Sequence, residues 1–418
     1  MNTPAGPLGR ALAEPTAPVS KLWVLWLVLA VVGLWSSFFG PIQVLLAQQA
    51  EAVAPDHKEA VLSLVTGVGA AVSMVCTPLW GAFSDRTTSR LGRRLPWVAG
   101  GVVGGVIALA LLSRADSVWS MVLAWALAQG SLNAMFAAIV ATVPDQVPAR
   151  ERGAVGGVVS IAQTLGVIGG TGIAAATGGV AAGYLTLAGA LVLTTLPYVL
   201  DSRDIRLPRE LRPELRWGPF LRGFWISPRE HPDFAWAWIT RFLMIFGNAL
   251  LILYLLYYLK DAVGLAADRA EDGVFLLTAV YGACTVVTAF LGGLWSDRTG
   301  KRKAFVTGAG LIAAGALLLF AFVPTWPAAF AGAIVLGIGF GAYTAVDFAL
   351  ITQVLPGAGA RGKDLGVINI ANTLPQVLAP VLAAGVIALG LGYTVLYSLA
   401  AVVSVLGSIL VGRIKSVA

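Results

Sequence analysis

Stretch after stretch of about twenty apolar residues, each closed by a polar or charged cluster, runs through this sequence. That is the length an α-helix needs to cross the ~30 Å hydrocarbon core of a bilayer. Apolar residues fill 58% of the 418 positions and charged residues only 12%, too little charge to cover a soluble domain of this size. Inside lipid every backbone polar group must be satisfied by the chain itself, which leaves helices or closed barrels. The runs are continuous, without the alternation of a barrel strand, so the predicted class is all-α and integral to the membrane.

Apolar windows fall near 22–46, 59–83, 95–113, 117–142, 154–179 and 183–200, then near 234–259, 272–295, 304–323, 327–352, 364–389 and 391–411. Twelve transmembrane helices in two six-helix halves follow: a tail at 1–21, a bundle at 22–200, a central loop at 201–232, a bundle at 233–411 and a tail at 412–418. Residues 1–19 hold no apolar run that would serve as a secretory signal. Lys and Arg concentrate in cytoplasmic loops. With both termini inside, 23 of the 28 basic residues fall in cytoplasmic segments, and only Lys58, Arg114, Lys260 and Arg269 fall outside. The net charge of +7 is thereby explained by topology, and no nucleic-acid partner is expected. The central loop mixes seven arginines with Leu215, Trp217, Phe220, Leu221, Phe224 and Trp225. It reads either as an interfacial segment on anionic lipid or as a solvated linker.

An internal repeat joins the halves. Gly157 to Leu165 reads GVVSIAQTL and Gly366 to Leu374 reads GVINIANTL, 209 residues apart with six of nine positions identical. Each opens the fifth span of its half. Parallel repeats of this kind relate the halves of transporters whose substrate cavity lies near the midplane.

Two loops carry a second repeated device. Between spans two and three stands Gly81-Ala-Phe-Ser-Asp85-Arg86, followed by Leu91-Gly92-Arg93-Arg94; between spans eight and nine stands Gly293-Leu-Trp-Ser-Asp297-Arg298-Thr-Gly300-Lys301-Arg302-Lys303. A glycine lets helix ends approach, and an aspartate at a helix end faces both an arginine and a partly positive helix N-terminus. These loops resemble the signature loop of the major facilitator superfamily. Pro144-Asp145-Gln-Val-Pro148 with Arg152-Gly153 resembles the loop after the fourth span in the same family. The resemblance implies the major facilitator fold and alternating access between two halves. It also implies a cytoplasmic gate built from Gly81, Asp85, Arg86, Arg93, Arg94, Asp145, Arg152, Gly293, Asp297, Arg298 and Arg302; the alternative is that Arg86 to Arg94 act only as topology determinants. The insertion Thr88-Ser89-Arg90-Leu91 resembles the sucrose/proton symporters and the glycoside-pentoside-hexuronide cation symporters. Plant sucrose carriers, however, have charge in the fourth span where this chain has Gln129 and Asn133.

Ionisable groups at membrane depth are costly and face a partner or a water-filled cavity. Asp347 in the tenth span is the one carboxylate well inside a span, and Arg241 lies in the seventh. Two readings stand: a proton carrier, or a standing ion pair that locks helices, with Arg241 also free to snorkel to the interface. Gln43, Asn133, Gln163, Asn248, Asn369, Asn372 and Gln376 are neutral polar groups within spans that either bind a polyol or join helices. Pro375 and Pro380 mark a bend in the eleventh span. His57, His231, Cys76 and Cys284 form no metal-ligand spacing, so neither metal nor cofactor is expected. No nucleophile–base pair points to an enzyme.

The expected function is secondary active transport of a small-molecule substrate, as proton-coupled symport of a sugar or glycoside-like compound. The alternatives are a proton-driven exporter of amphipathic compounds and a non-transporting membrane sensor. Its expected partners are the substrate, protons and the lipid bilayer, and its expected location is a bacterial inner membrane.

Overall fold

The computed structural model describes residues 15–148, 150–201, 204, 206–212, 217–218, 227–299, 302–354 and 361–415; within those ranges the side chains of 293, 294, 297, 299, 348, 349, 351–354, 361–366 and 369 lie outside the description. Among the described residues twelve helices are long and apolar enough to cross a membrane. They are α1 (Lys21–Val53), α2 (Lys58–Ser84), α3 (Leu95–Leu112), α4 (Val118–Gln146), α5 (Arg152–Ala176), α6 (Val180–Leu200), α7 (Pro232–Ala262), α8 (Ala267–Thr299), α9 (Arg302–Phe322), α10 (Trp326–Val354), α11 (Arg361–Ala388) and α12 (Gly392–Leu410). The all-helical class and the span count are as the apolar windows predict.

Ends differ from the windows where polar residues continue a helix past the apolar run. The α1 window closes near 46, yet the helix continues through Leu-Ala-Gln-Gln-Ala-Glu-Ala-Val to Val53, because the protein itself holds the polar side chains of that extension, Gln49 being buried and Glu51 paired with Lys260. Start signals are local. The Ser20 hydroxyl accepts from the Trp23 amide at 3.1 Å to cap α1, and Ser117 with Ser120 forms a capping box at α4. Inside α1, Pro41 lacks an amide hydrogen, and Pro41–Leu45 widens into a π-turn. A second π-turn, Tyr258–Ala262, ends α7.

The chain packs as two units. The first comprises Met1–Pro41 and Val72–Arg216; the second comprises Ile42–Ala71 and Trp217–Ala418. The far end of α1 and the first half of α2 therefore pack with the second unit. Within the first unit α1 packs on α5 and α6, and α3 on α4 and α6; within the second, α7 packs on α11 and α12, and α9 on α10 and α12. The same pairing recurs six helices later, as the sequence repeat requires. At Gly170 of α5 a Cβ would lie 2.6 Å from the Ser36 Cα of α1, so only glycine permits that approach.

The first unit's core is built on Trp23, Leu27, Leu34, Leu132, Met135 and Tyr198, and the second's on Phe234, Met244, Val306, Tyr343 and Val346. Large apolar side chains also face outward, Leu193 at 73% exposure among them, as lipid-facing helices require. Of the central loop, Trp217 is described and exposed; Leu215, Phe220, Leu221, Phe224 and Trp225, on which its interfacial reading rests, lie outside the described residues.

Candidate functional site

Charged side chains gather at three places. In the first unit, the loop joining α2 to α3 folds back so that Arg94 is buried between helix ends. Its Nη2 donates to Asp85 Oδ1 at 2.5 Å, its Nη1 to Ser84 Oγ at 2.8 Å and its Nε to Asp145 Oδ2 at 2.7 Å. Asp145 also pairs with Arg93. Burial, the largest influence, weakens the Arg94 guanidinium's hold on its proton, but Asp145 and Asp85 outweigh it and raise the group above its usual value. The cation stays charged. Asp204, which the sequence reading left unassigned in the central loop, accepts from the amides of Arg94 at 2.5 Å and Leu95 at 2.8 Å, and so caps the positive end of α3. This contact needs Gly92, whose φ of +109° is unfavourable for other residues and whose missing Cβ would strike the Asp204 side chain.

Not every expected gate residue joins this network. Arg152 donates to the carbonyls of Val147 at 3.0 Å and Pro144 at 3.1 Å, closing the turn between α4 and α5. Among the described residues the Arg86 side chain has no ion-pair or hydrogen-bond partner. Among the described residues Gly81 serves no close approach, since a Cβ there would meet nothing within 4 Å, so helix contact is not what a glycine serves at this position. In the second copy of the loop Arg298 is exposed and Arg302 half-buried, while the side chains of Gly293 and Asp297 lie outside the description.

The second place is inside the spans of the second unit. Arg241 of α7 pairs through Nη1 with Asp347 Oδ2 of α10, and its Nε donates to Asn372 Oδ1 of α11 at 2.7 Å. Tyr343, one turn before Asp347, donates its hydroxyl to Asp347 Oδ1 at 2.8 Å. Each carboxylate oxygen is thus bound, and the carboxylate is only 9% exposed. Nearby, Trp238 Nε1 donates to the Val367 carbonyl at 2.9 Å and ties α7 to α11. Arg241, Asp347 and Asn372 were each visible as polar residues in apolar runs; Tyr343 was not, because tyrosine is common in such runs, and its i, i+4 spacing from Asp347 was the available signal.

The third place, absent from the sequence reading, lies where α1 ends, α2 begins and α7 ends, all within the second unit. Lys58 Nζ is 2.9 Å from Asp261 and 3.7 Å from Glu51, and Lys260 pairs with the same Glu51. Tyr393 donates to Asp261 Oδ2 at 2.9 Å. The sequence shows Lys58 and Lys260 as loop charges; their partners Asp261 and Glu51 stand 203 and 209 residues away, so no local spacing points to the pairing.

The neutral candidates separate in the same way. Asn133 of α4 accepts from Ser73 at 3.0 Å and Thr77 at 2.8 Å of α2, and donates to Gln129. Gln43 accepts from Thr278 at 2.7 Å, and Asn248 accepts from Tyr281 at 3.4 Å. The Gln163 side chain has no hydrogen bond among the described residues, Gln376 is exposed, and the Asn369 side chain lies outside the description. Among the described residues no three of His, Cys, Asp and Glu group as a metal set.

The Major Facilitator Superfamily profile matches residues 25–277 and again residues 237–416. The chain belongs to that superfamily. With twelve helices able to span a bilayer, it is an integral, multi-pass membrane protein. Solved structures of similar fold include a mutant of the nucleoside transporter NupG, with a TM-score of 0.75 at 14% identity over 94% of this chain and 100% of that one. A bacterial homologue of the human lysosomal transporter Spinster, inward-facing and unoccupied, gives 0.68 at 16% identity over 95% of this chain and 96% of that one. The human organic anion transporter MFSD10 gives 0.67 at 18% identity over 94% and 100%. Myo-inositol transporter 3C of Cryptococcus neoformans var. grubii is 35% identical over 123 residues, 29% of this chain and 20% of its own length. Myo-inositol transporter 3A of the same fungus is 30% identical over 146 residues, 35% and 24% of the two lengths. The matched stretches span about a fifth to a quarter of these curated relatives.

Proposed function

We propose that the protein is a secondary transporter, not an enzyme, that moves a small polyhydroxylated solute by alternating access and couples that movement to protons. The observation that carries this reading is the Arg241–Asp347 pair inside the spans, joined by Asn372 and Tyr343. Removing two charges from water costs several kcal/mol per ion, a cost that marks ion and proton pathways in membrane proteins. A proton taken up by Asp347 weakens its bond to Arg241 and frees the guanidinium's Nη1 for solute hydroxyls, while Nε stays on Asn372. Loss of the proton restores the pair. The polyol class is supported by the stretches shared with proteins named as myo-inositol transporters. The distribution of Lys and Arg supports a cytoplasmic location for both termini and for the Asp85–Arg94–Asp145 network, read here as a lock on that side.

The test is uptake into proteoliposomes of labelled myo-inositol and a panel of hexoses and glycosides under an imposed pH gradient. Wild-type protein accumulates at least one of them. Asp347→Asn still exchanges that solute at equal concentrations on the two sides but does not concentrate it. Uphill accumulation by Asp347→Asn at the wild-type level overturns proton coupling through Asp347. Depletion of a lipophilic dye, with no polyol uptake, replaces the solute class with amphipathic compounds.

A further inference from the structure

In the first unit a groove of about 560 Å³ lies between α2, α3 and α4, walled by Trp80, Pro96, Trp97, Gly100, Leu127 and Ala134. That volume falls within the roughly 300–1,000 Å³ of small-ligand sites. It exists because the α2 backbone does not approach α4 as α8 approaches α10; side chains bridge the gap, Trp80 Nε1 donating to the Gly130 carbonyl at 2.8 Å. Such a gap in a membrane-facing wall is filled by something apolar, since unfilled space forfeits contacts on every side.

At its loop end the groove meets a second hollow of about 350 Å³, lined by Arg86, Thr88 and Arg212, with Thr87 and Trp97 shared by both. Arg93 and Arg94 are committed to Asp145 and Asp85, whereas Arg86 and Arg212 have no ion-pair partner among the described residues. Among the described residues no carboxylate lines this hollow. Trp80 and Trp97, with ring centroids 5.4 Å apart, stand at the junction, and Trp97 Nε1 is held by Thr87 Oγ1 at 2.8 Å. Tryptophan favours the level where headgroups meet acyl chains.

We propose that this continuous hollow is a binding site for one anionic phospholipid, its phosphodiester between Arg86 and Arg212 and one acyl chain along Trp80, Trp97 and Gly100. Two cations with no ion-pair partner among the described residues, above an apolar slot, match an anionic amphiphile in charge and in polarity. A soluble phosphate would leave the slot empty, and a zwitterionic lipid would bring its own cation against both arginines. The site is independent of the solute and of the coupling ion.

The test is native mass spectrometry of the full chain in detergent, titrated with dioleoyl-phosphatidylglycerol or dioleoyl-phosphatidylcholine. Wild-type protein retains one phosphatidylglycerol several-fold more strongly than phosphatidylcholine. Each basic residue near the membrane contributes about a fivefold preference for anionic lipid, so Arg86→Gln with Arg212→Gln weakens retention roughly 25-fold. Arg86→Lys with Arg212→Lys keeps it, which separates charge loss from misfolding. Gly100 lines the slot, and a Cβ there meets nothing within 4 Å, so Gly100→Phe obstructs the slot and lowers retention of the acyl chain. Equal retention of the two lipids by wild-type protein overturns the proposal. So does unchanged retention in both Arg86→Gln/Arg212→Gln and Gly100→Phe, as does full displacement of the lipid by glycerol phosphate, which would mark a free-phosphate site.

Discussion

The two units carry the same residue types at different depths. In the first unit, Arg93, Arg94, Asp85 and Asp145 sit at helix ends, and Asp85 is 55% exposed. Water reaches only Asp85 among these charges, since Arg93, Arg94 and Asp145 are 12%, 4% and 14% exposed, and the network fixes where α2, α3 and α4 end. In the second unit, Arg241 and Asp347 sit inside spans, and Asp347 is 9% exposed. There the protein alone must repay desolvation, through Asn372 and Tyr343. The repeat sharpens the contrast. Gln163 and Asn372 hold the same place in GVVSIAQTL and GVINIANTL, yet Asn372 accepts from Arg241 while the Gln163 side chain bonds nothing among the described residues. Duplication supplied the polar position twice; only one copy acquired a charged pair to attach it to.

The largest expected effect tests the buried pair. Arg241→Leu leaves Asp347 without its cation and destabilises the protein by about 3–5 kcal/mol, read as a fall in the thermal unfolding midpoint in detergent. Arg241→Leu combined with Asp347→Leu recovers most of the loss. A cost below about 1 kcal/mol for the single change would mean that water reaches the pair, and the contrast in depth would fail.

An intermediate effect is expected at Asp145, which receives both Arg93 and Arg94. Asp145→Asn removes the charge from these hydrogen bonds and costs about 1.5–3 kcal/mol, measured in the same unfolding assay. A change no larger than that of a surface substitution would show Ser84 and Asp85 holding Arg94 unaided.

The smallest effect on stability is expected at Asp85, whose carboxylate is largely in water: Asp85→Asn costs less than about 1 kcal/mol. Its effect is expected on the balance of conformations, as raised accessibility of an introduced cysteine beside the loop, together with slower transport. Slower transport with unchanged accessibility would leave Asp85 outside any gate.

How much of this was legible beforehand follows from range. The twelve helices were readable because lipid imposes a length and a composition on each span separately, and no distant contact is needed to recognise one. The twofold plan was readable because six of nine positions match at one offset of 209 residues. Asp347 and Arg241 stood out because charge in an apolar run is costly wherever its partner lies.

Partnership itself was decided by the tertiary structure. Arg94 takes Asp85 and Asp145, and Arg86, one residue from Asp85, takes neither, because the loop from α2 turns at Gly92 and aims only the later arginines between the helix ends. Asp204 caps a helix whose N-terminus lies more than a hundred residues earlier in the chain. Lys58 finds Asp261 across 203 positions. Membrane insertion reads each span's hydrophobicity one helix at a time, so the sequence by itself determined the helices and their number. Which side chains meet depends on crossing helices whose spacing is set by packing, such as the approach that Gly170 allows and the gap that α2 leaves beside α4, and only the folded chain decided that.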